Sequence, residues 1–442
     1  MSKRSYYTVL APLDGGGVLY HTGTQAMATL DAAEVDLLHE LDHMDGTVSC
    51  FDEEAQTFLS QLQDLGLLVD DPEVEADLML YRHNRHRNNK KVLELTISPT
   101  RMCNFDCDYC YIKKRKGLMS EEVQDALIAF AERHYAKSPY QTLKVNWYGG
   151  EPLLALDIME SISTRFMEFC ESRGVRYTAH VLSNGSLATK DVCRRLKKNC
   201  AVVTIMPSIS GNGIMHDWQR TAKDGKEHFG ELMDNIDNML EAGITVHANF
   251  VVNRNNFEEC KELAVELNKK PGIVIRLTRT FAYGRNGFKL HDGKDTPLVF
   301  FERAEFAPYY LDFHRALGLS ATGYRDVMKP ICMYCAAWHN NSFFVDEVGD
   351  VFACMQDMDF STYALANVVD MRAGDEWFNW ARFDEFANIE PARSQKCRRC
   401  SILPICQGGC VYCAVLGDDV CHDLRGNIED FVLDYYRACR RR

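Results

Sequence analysis

The placement of the cysteines constrains this chain more than any other feature of its sequence. The 442 residues include 18 cysteines, and twelve of them fall into two groups. The first group is compact, and the second lies in the last quarter of the chain: Cys103, Cys107 and Cys110, then Cys332, Cys335, Cys354, Cys397, Cys400, Cys406, Cys410, Cys413 and Cys421. Closely spaced thiols are typical of a metal centre, whose ligands must converge. The other six are scattered, and we expect them to be small buried residues: Cys50, Cys170, Cys193, Cys200, Cys260 and Cys439.

The start of the chain and its charge exclude several classes of protein. A disulfide-stapled secreted domain is excluded because the chain is large and begins without an apolar signal core. No stretch reaches the roughly 18 apolar residues of a membrane span. We therefore expect a soluble, cytoplasmic protein with no membrane partner. Residues 1–80 carry a net charge of −14 and the remainder +1. Because the acidic region would repel phosphate, we expect no nucleic-acid partner.

The hydrophobic pattern divides the chain into regions. Residues 1–80 show two β-type runs around a glycine turn, two amphipathic helices and a short strand, which predicts a winged-helix-like domain. Residues 81–91 are polar and basic, and the pattern predicts a linker. The cysteine-rich residues 330–425 predict a small fold held by metal, and residues 426–442 predict a C-terminal helix.

Residues 92–320 alternate β-type and helical segments, which predicts parallel strands joined by crossover helices. Six strands are predicted, at 92–98, 143–148, 177–182, 202–209, 245–252 and 274–280. Six such units make a partial (β/α)6 barrel rather than a closed eight-stranded one. The predicted fold class is therefore α/β, a TIM-like partial barrel between the two smaller regions.

The first cysteine group, Cys103-x3-Cys107-x2-Cys110, follows the first predicted barrel strand. Barrels of this kind build their active sites at the carboxyl ends of the strands. Three thiolates on a [4Fe–4S] cluster leave one iron open to a small molecule, whereas structural zinc normally takes a fourth protein ligand. We favour the iron–sulfur interpretation, with structural zinc as the alternative.

This cysteine motif resembles that of the radical S-adenosylmethionine (SAM) superfamily. The resemblance implies that SAM chelates the open iron and is cleaved, on reduction, to methionine and a 5′-deoxyadenosyl radical that abstracts a substrate hydrogen. Three later segments also resemble the family's motifs, and by that resemblance the SAM-binding residues are Tyr109, Gly149, Gly150, Glu151, Pro152, Ser183, Asn184 and Arg220. Ser210 stands where many relatives have an acidic residue, so no role is carried over to it.

The second cysteine group resembles the SPASM extension of radical SAM enzymes that modify peptides. The resemblance implies two auxiliary [4Fe–4S] clusters, three clusters in all. One would be held by Cys332, Cys335, Cys354 and Cys410, and the other by Cys397, Cys400, Cys406 and Cys421. Cys421 fits the last position better than Cys413. Zinc knots of four cysteines are the alternative.

Residues 1–80 resemble recognition domains from pathways for ribosomally made, modified peptides. Such domains bind a leader peptide as an added strand. Together these resemblances imply a peptide maturase that forms a thioether or carbon–carbon cross-link. They also imply an external protein of the flavodoxin or ferredoxin type that donates electrons to it. An acidic scaffolding appendage is the alternative for residues 1–80.

Three other functions remain open at this point. An anaerobic sulfatase maturase, which makes formylglycine, would carry an Asp directly after the cysteine aligned with Cys354, and Asp357 is displaced by two positions. Peptide epimerisation needs a hydrogen donor, for which Cys413 is a candidate. A non-enzymatic metal-binding adaptor is the remaining alternative. The sequence identifies no general base.

Overall fold

The computed structural model describes residues 2–44, 51–280, 298–333, 335–373, 377–417 and 421–441. These residues form two compact units. The first unit combines Met1–Asn88, Arg303–His339 and Asn388–Arg442, and the second combines Asn89–Glu302 and Asn340–Ala387. The cysteine-rich region predicted at 330–425 is therefore shared between the two units.

The N-terminal part of the first unit contains two small sheets and three helices. Strands β2, β3 and β4 form an antiparallel meander, and β1 pairs antiparallel with β5. The elements are β1 Lys3–Arg4, β2 Thr8–Leu13, β3 Gly16–His21, β4 Met27–Asp31, α1 Ala32–His43, α2 Glu53–Asp64, β5 Leu68–Val69 and α3 Pro72–Arg87. Asp31 and Glu34 form a reciprocal capping box at the start of α1. The hairpin, the first two helices and β5 agree with the sequence prediction, whereas β4 was not predicted.

The prediction of a linker over residues 81–91 is wrong, because residues 81–87 continue helix α3. Asp71 caps this helix and Pro72 occupies its first turn. His83 is buried, with Nδ1 3.1 Å from the side-chain oxygen of Gln407. Arg87 is also buried and its guanidinium lies 5.0 Å from the ring centre of Trp338. The polar composition concealed this part of the helix, since its buried positions carry the hydrogen-bonding side chains of His83 and Arg87 instead of aliphatic ones.

The second unit is built on the predicted parallel strands. The strands are β6 Val92–Ile97, β7 Thr142–Trp147, β8 Arg176–Ser183, β9 Val202–Ile209, β10 Thr245–Val252 and β11 Ile273–Arg279. They lie in sequence order and every neighbouring pair is parallel. The helices between them are α4 Glu121–Lys137, α5 Leu156–Arg173, α6 Lys190–Asn199, α7 Gly213–Gln219, α8 Phe229–Glu241 and α9 Phe257–Leu267. The predicted α/β partial barrel is confirmed.

The C-terminal residues contribute to both units. Their elements are α10 Arg303–Ala316, α11 Ala321–Val327, β12 Ser342–Val345, β13 Asp350–Phe352, β14 Ala366–Asn367, α12 Val368–Ala373, α13 Trp380–Ala387, α14 Gln395–Arg398, α15 Leu403–Cys406, α16 Val411–Leu416 and α17 Ile428–Arg440. Strand β12 pairs parallel with β6, and β13 and β14 follow antiparallel, so the sheet has nine strands among the described residues. This extension places residues 342–367 directly beside the first barrel strand.

Helix α17 agrees with the helix predicted near the C-terminus, and it packs on the N-terminal meander within the first unit. Phe431 and Tyr435 share a buried cluster with Val18 and Tyr20. The rings of Tyr20 and Tyr435 meet edge to face at 6.0 Å. Among the scattered cysteines, Cys439 is half-buried, Cys50 lies outside the described residues, and four are buried: Cys170, Cys193, Cys200 and Cys260. No helix in the described ranges is long and apolar enough to cross a membrane.

Candidate functional site

The first three cysteines lie on a loop after β6, here called the cysteine loop (residues 103–110). Phe105 forms an antiparallel bridge with Ala222. The Asp106 amide donates to the Thr221 carbonyl at 2.7 Å, so the loop is held against the segment that follows α7. In the cysteine loop Cys107 is buried, and Cys103 and Cys110 are half-buried.

Gly149 and Gly150 lie where the loop after β7 meets the start of the cysteine loop. A Cβ on Gly150 would lie 2.1 Å from the Met102 carbonyl oxygen. Gly149 has φ +122°, and a Cβ there would lie 2.3 Å from Ser98 Oγ and 2.4 Å from the Thr100 carbonyl oxygen. Only glycine permits these approaches. The two glycines thus fix the position of the backbone that leads into the cysteines.

The carboxylate of Glu151 joins the loops after β7 and β8. It is fully buried and accepts hydrogen bonds from the Leu153 amide at 3.1 Å, Ser183 Oγ at 2.8 Å and the Asn184 amide at 2.7 Å. Pro152 begins the short 3₁₀ turn that presents the Leu153 amide. Burial raises the pKa of Glu151, although all three donors oppose the rise. Glu151 therefore orients Ser183 and Asn184 through these hydrogen bonds.

Asn184 links this network to the cysteine loop. Its Nδ2 donates to Asn104 Oδ1 at 2.8 Å and lies 3.9 Å from Cys103 Sγ. Its side-chain oxygen accepts from the amide and the hydroxyl of Ser186, at 2.9 and 2.8 Å. One continuous hydrogen-bond network thus joins four residues predicted from the separate motifs after β6, β7 and β8: Cys103, Glu151, Ser183 and Asn184.

Arg220 approaches the cysteine loop from the end of α7. Its guanidinium donates to the hydroxyl of Tyr109 and lies 5.7 Å from the ring centre. The Tyr109 hydroxyl is also 3.2 Å from Ser210 Oγ. Arg220 is buried, and its Nε has no hydrogen-bond partner within the described ranges. The sequence assigned no role to Ser210, yet this residue takes part in positioning Tyr109.

The donor set fits the cofactor that the motif implies. Burial and the charge of Glu151 raise the pKa of Cys103 to about 11, and burial and the charge of Cys107 raise the pKa of Cys110 to about 12. A metal centre that binds the thiolates would remove this cost. The unpartnered Nε of Arg220 is suited to an anionic group such as a carboxylate. No three metal-binding side chains of the described residues are grouped around a single-ion position. A cluster does not need that grouping, because its thiolates bind different irons.

Four thiols of the second group line one small cavity in the first unit. The thiols are Cys397, Cys400, Cys406 and Cys421. Burial and the neighbouring thiols raise the pKa of Cys406 to about 11. Arg425 donates to Cys421 Sγ at 2.7 Å. Cys413 is fully buried in α16 and does not line this cavity. The structure thus brings together the four residues predicted for one auxiliary centre.

The other predicted auxiliary ligands belong to different units. Cys332, Cys335 and Cys410 lie in the first unit, where Cys332 is exposed and the other two are half-buried. Cys354 is half-buried in the second unit, two residues after β13. Their assignment to a common cluster stays a prediction.

A buried ion cluster beside the cysteine loop was missed from the sequence. Arg101 binds Glu347 at 2.9 Å, Asp346 at 2.9 Å and Asp359 at 3.0 Å, and Arg115 also pairs with Glu347. Burial, followed by the charge of Glu347, raises the pKa of Asp346 to about 7, although Arg101 opposes the rise. The only signal in the sequence was an arginine two residues before the first cysteine. Its partners are about 245 residues away along the chain and follow β12, a strand that was not predicted.

Comparison with known proteins gives a family for the second unit. Residues 97–267 match the model of the radical SAM superfamily. The chain contains a radical SAM domain. Such a domain implies a [4Fe–4S] cluster and SAM, so the chain is an enzyme that uses SAM, and the adaptor alternative is wrong. The match begins at the end of β6 and ends with α9, and it includes every residue predicted to bind SAM or the first cluster.

Relatives of the radical SAM domain extend the comparison over most of the chain. The serine-type anaerobic sulfatase-maturating enzyme of Bacteroides thetaiotaomicron is 23% identical over 354 residues, 72% of this chain and 83% of that enzyme. A probable GTP 3′,8-cyclase of Saccharolobus solfataricus is 28% identical over 218 residues, 47% of this chain and 63% of the cyclase. The chain is thus related to radical SAM enzymes of the maturase type.

Two solved structures share the fold. Native anSMEcpe with bound AdoMet and Cp18Cys peptide matches with a TM-score of 0.58 and 19% identity, over 79% of this chain and 98% of that one. Streptococcus suis SuiB bound to precursor peptide SuiA matches with a TM-score of 0.50 and 16% identity, over 95% and 98%. At these identities the matches establish the fold.

Proposed function

We propose that this enzyme is a radical SAM peptide maturase that removes a hydrogen from a ribosomal precursor peptide and closes a thioether or carbon–carbon cross-link. One observation carries the proposal: the same chain holds a radical SAM domain and, in its first unit, an open groove suited to an extended peptide. The relatives add support, because anSMEcpe and SuiB have both been solved with peptides bound.

The groove lies beside strand β5 and helix α3 and has a volume of about 520 Å³. Val74 and Leu78 of α3 line it and are 56% and 51% exposed. Asp70 and Asp71 add negative charge, and β5 has one strand neighbour, β1, among the described residues. A leader peptide added along β5 would gain main-chain hydrogen bonds there and bury alternate apolar side chains against α3. The acidic residues favour a basic leader.

The residues around the cysteine loop have defined roles in this proposal. Cys103, Cys107 and Cys110 hold the [4Fe–4S] cluster, which with SAM supplies the 5′-deoxyadenosyl radical. Arg220 binds the carboxylate of SAM. Tyr109 makes a further contact with SAM. The remaining contacts come from the loops that Glu151 holds together, through Gly149, Gly150, Pro152, Ser183 and Asn184.

The remaining thiols supply a route for electrons. Closing a cross-link is a net two-electron oxidation, so one electron must leave the substrate after the hydrogen atom is removed. In this proposal two auxiliary [4Fe–4S] clusters accept it, one at Cys397, Cys400, Cys406 and Cys421 and one at Cys332, Cys335, Cys354 and Cys410. An external carrier of the flavodoxin or ferredoxin type reduces the first cluster.

Formylglycine formation is the second candidate, favoured by the similarity to the sulfatase-maturating enzyme of Bacteroides thetaiotaomicron. The contacts of Asp357 weigh against it. This carboxylate is buried and pairs with Arg382, whose guanidinium lies 5.0 Å from the ring centre of Tyr363. An aspartate held in this way is poorly placed to act as a base. Epimerisation is disfavoured because Cys413, its candidate hydrogen donor, is fully buried.

The test is an anaerobic assay with dithionite, SAM and short peptides encoded beside the gene, measured by intact mass. A cross-link removes two hydrogens. Formylglycine made from serine removes the same two hydrogens but reacts with an aldehyde probe. A mass that is unchanged in ordinary water but increases in deuterated water, through incorporation of deuterium, would instead indicate epimerisation. Failure to form 5′-deoxyadenosine under any condition would contradict the proposal.

Variants of the groove test the leader site. Val74→Lys/Leu78→Lys adds positive charge, which repels a basic leader, and removes apolar contact. It should abolish peptide modification, while 5′-deoxyadenosine formation in the absence of peptide continues. Tyr81→Lys is the matched control, because Tyr81 is 63% exposed on the same helix and does not line the groove. Equal modification by the groove variant and the control would exclude this groove as the leader site.

A further inference from the structure

A basic segment follows the cysteine loop directly. Residues 113–116 read Lys-Lys-Arg-Lys and begin three positions after Cys110. Lys113, Arg115 and Lys116 are exposed, and Leu118, two residues further on, is 50% exposed. The segment therefore presents three exposed cations, followed by an exposed apolar side chain, close in sequence to the third cysteine.

The segment is fixed in place although it is neither a helix nor a strand. The Lys113 amide donates to Asp359 Oδ2 at 2.9 Å. The Gly117 carbonyl accepts from Thr100 Oγ1 at 2.6 Å, and the Met119 amide donates to the Pro99 carbonyl at 2.9 Å. One end is thus anchored to Asp359 and the other to residues that directly follow β6, which gives the exposed side chains a defined location.

Two of the four cations are used inside the unit. Lys114 Nζ is 2.6 Å from the Phe105 carbonyl oxygen and 2.8 Å from Asp106 Oδ1, so the segment contacts the cysteine loop itself. Arg115 pairs with Glu347. The ammonium groups of Lys113 and Lys116 form no ion pair with any described carboxylate. Exposed acidic residues close in sequence are Glu121 and Glu122, at the start of α4.

We propose that residues 113–118 are the docking surface for an acidic one-electron carrier protein. The inference rests on the proposed function, which requires such a carrier, and assigns it a location. The reduced carrier loses one electron, the cluster held by the cysteine loop gains it, and no atom or proton is transferred. Electron transfer slows steeply with distance, and this segment touches the loop that bears the thiols. Opposite charges steer the encounter, and Leu118 supplies an apolar contact.

The test compares binding and turnover in charge-reversed variants of the full holoenzyme. The carrier is a flavodoxin with its reductase, and the variant is Lys113→Glu/Lys116→Glu. The matched control is Lys90→Glu/Lys91→Glu, two exposed lysines just before β6, at the opposite end of that strand. We expect the docking variant to bind flavodoxin about tenfold more weakly at low salt and to form 5′-deoxyadenosine correspondingly more slowly. With dithionite, which needs no docking surface, variant and wild type should agree.

Two results would overturn the inference. One is unchanged flavodoxin binding by the docking variant, and the other is an equal loss of binding in the control. Failure of the proposed function has a different signature, since wild-type enzyme would then form no 5′-deoxyadenosine even with dithionite. The binding measurement still decides the docking surface in that case.

Discussion

Gly150 lies where the loop after β7 closely approaches the backbone at Met102. We predict that Gly150→Ala displaces the segment at Met102, because its Cβ would lie 2.1 Å from that carbonyl oxygen. The shift reaches Cys103, so iron content should fall by about four atoms per chain, the content of one [4Fe–4S] cluster. Iron analysis and the cluster's absorbance measure this. Gly230→Ala in α8 is the control, because its Cβ meets nothing within 4 Å. Normal iron in Gly150→Ala would show that the loop tolerates the shift.

His83 is a buried residue of α3 whose protonation affects the stability of the first unit. Burial lowers its pKa to about 4 from 6.5, although the hydrogen bond to Gln407 opposes the change. Between pH 6.5 and pH 4 the unfolded chain therefore binds a proton that the folded chain does not. The free energy of unfolding consequently decreases as the pH falls from 6.5 toward 4. At pH 5 the loss is about 2 kcal/mol. His83→Gln should remove that part of the difference in unfolding free energy between pH 7.5 and pH 5.

The comparison for His83 needs a second variant, since other buried histidines titrate as well. His86→Gln, at a partly exposed position of the same helix, is the control. Chemical denaturation of each variant and the wild type at both pH values gives the difference. An unchanged pH dependence in His83→Gln would show that His83 does not stay neutral in the folded chain.

At the scale of elements, strand β12 and the turn after it hold the start of the cysteine loop through Arg101. We predict that Arg101→Gln lowers the free energy of unfolding by about 3–5 kcal/mol, because it leaves buried carboxylates without their counter-charge. The deficit should shrink below pH 7, where Asp346 becomes protonated. Denaturation curves at pH 6 and pH 8 measure it. Arg195→Gln, which breaks partly exposed pairs with Asp157 and Glu160, should change much less. Equal effects of the two variants would contradict this account.

The elements differ in how well the sequence predicts them, and the reason is physical. The six barrel strands were predicted because apolar residues recur along each of them with the period of a β-strand, as Val246, Ala248 and Phe250 do within residues 245–252. Strand β12 has four residues and is defined by its pairing with β6, about 250 positions earlier in the chain. Helix α3 was missed because its buried positions include His83 and Arg87. Local periodicity reveals neither long-range pairing nor hydrogen-bonded burial.

In the candidate site, too, local patterns could be predicted from the sequence and long-range contacts could not. Cys103, Glu151 and Arg220 were found from motifs, which record short spacings on single loops. Ser210 and Arg101 act through contacts with residues that are far away in the sequence, Tyr109 and the carboxylates after β12. A motif describes what a loop contributes to a site. The contacts between loops, which hold those contributions in position, require the fold.

At the scale of the whole molecule, the first unit is assembled from three separate stretches of chain. Helix α17 covers the N-terminal meander, and α3 packs beside Ala392 and Leu403. Deleting residues 1–80 would therefore expose the core that α17 covers. For this reason the leader site is better tested by substitutions in the groove than by truncation.

The iron content of the whole chain tests the assignment of the second cysteine group. Three [4Fe–4S] clusters give about twelve iron atoms per chain. Cys421 lines the cavity with three other thiols, whereas Cys413 is buried apart from it in α16. We therefore predict that Cys421→Ala lowers iron by about four atoms per chain, and that Cys413→Ala leaves it unchanged. Iron and zinc analysis of anaerobically reconstituted protein measures both, with electron paramagnetic resonance of the reduced samples to identify the lost signal.

The pattern of loss separates the remaining possibilities. Loss of iron in Cys413→Ala but not in Cys421→Ala would move the last ligand to Cys413. About four iron atoms in the wild type, with zinc replacing the rest, would support zinc knots. In that case the second cysteine group could not accept an electron, because zinc is redox-inert. The cross-linking reaction would then need another oxidant, whereas a full complement of iron leaves the electron acceptor within the chain itself.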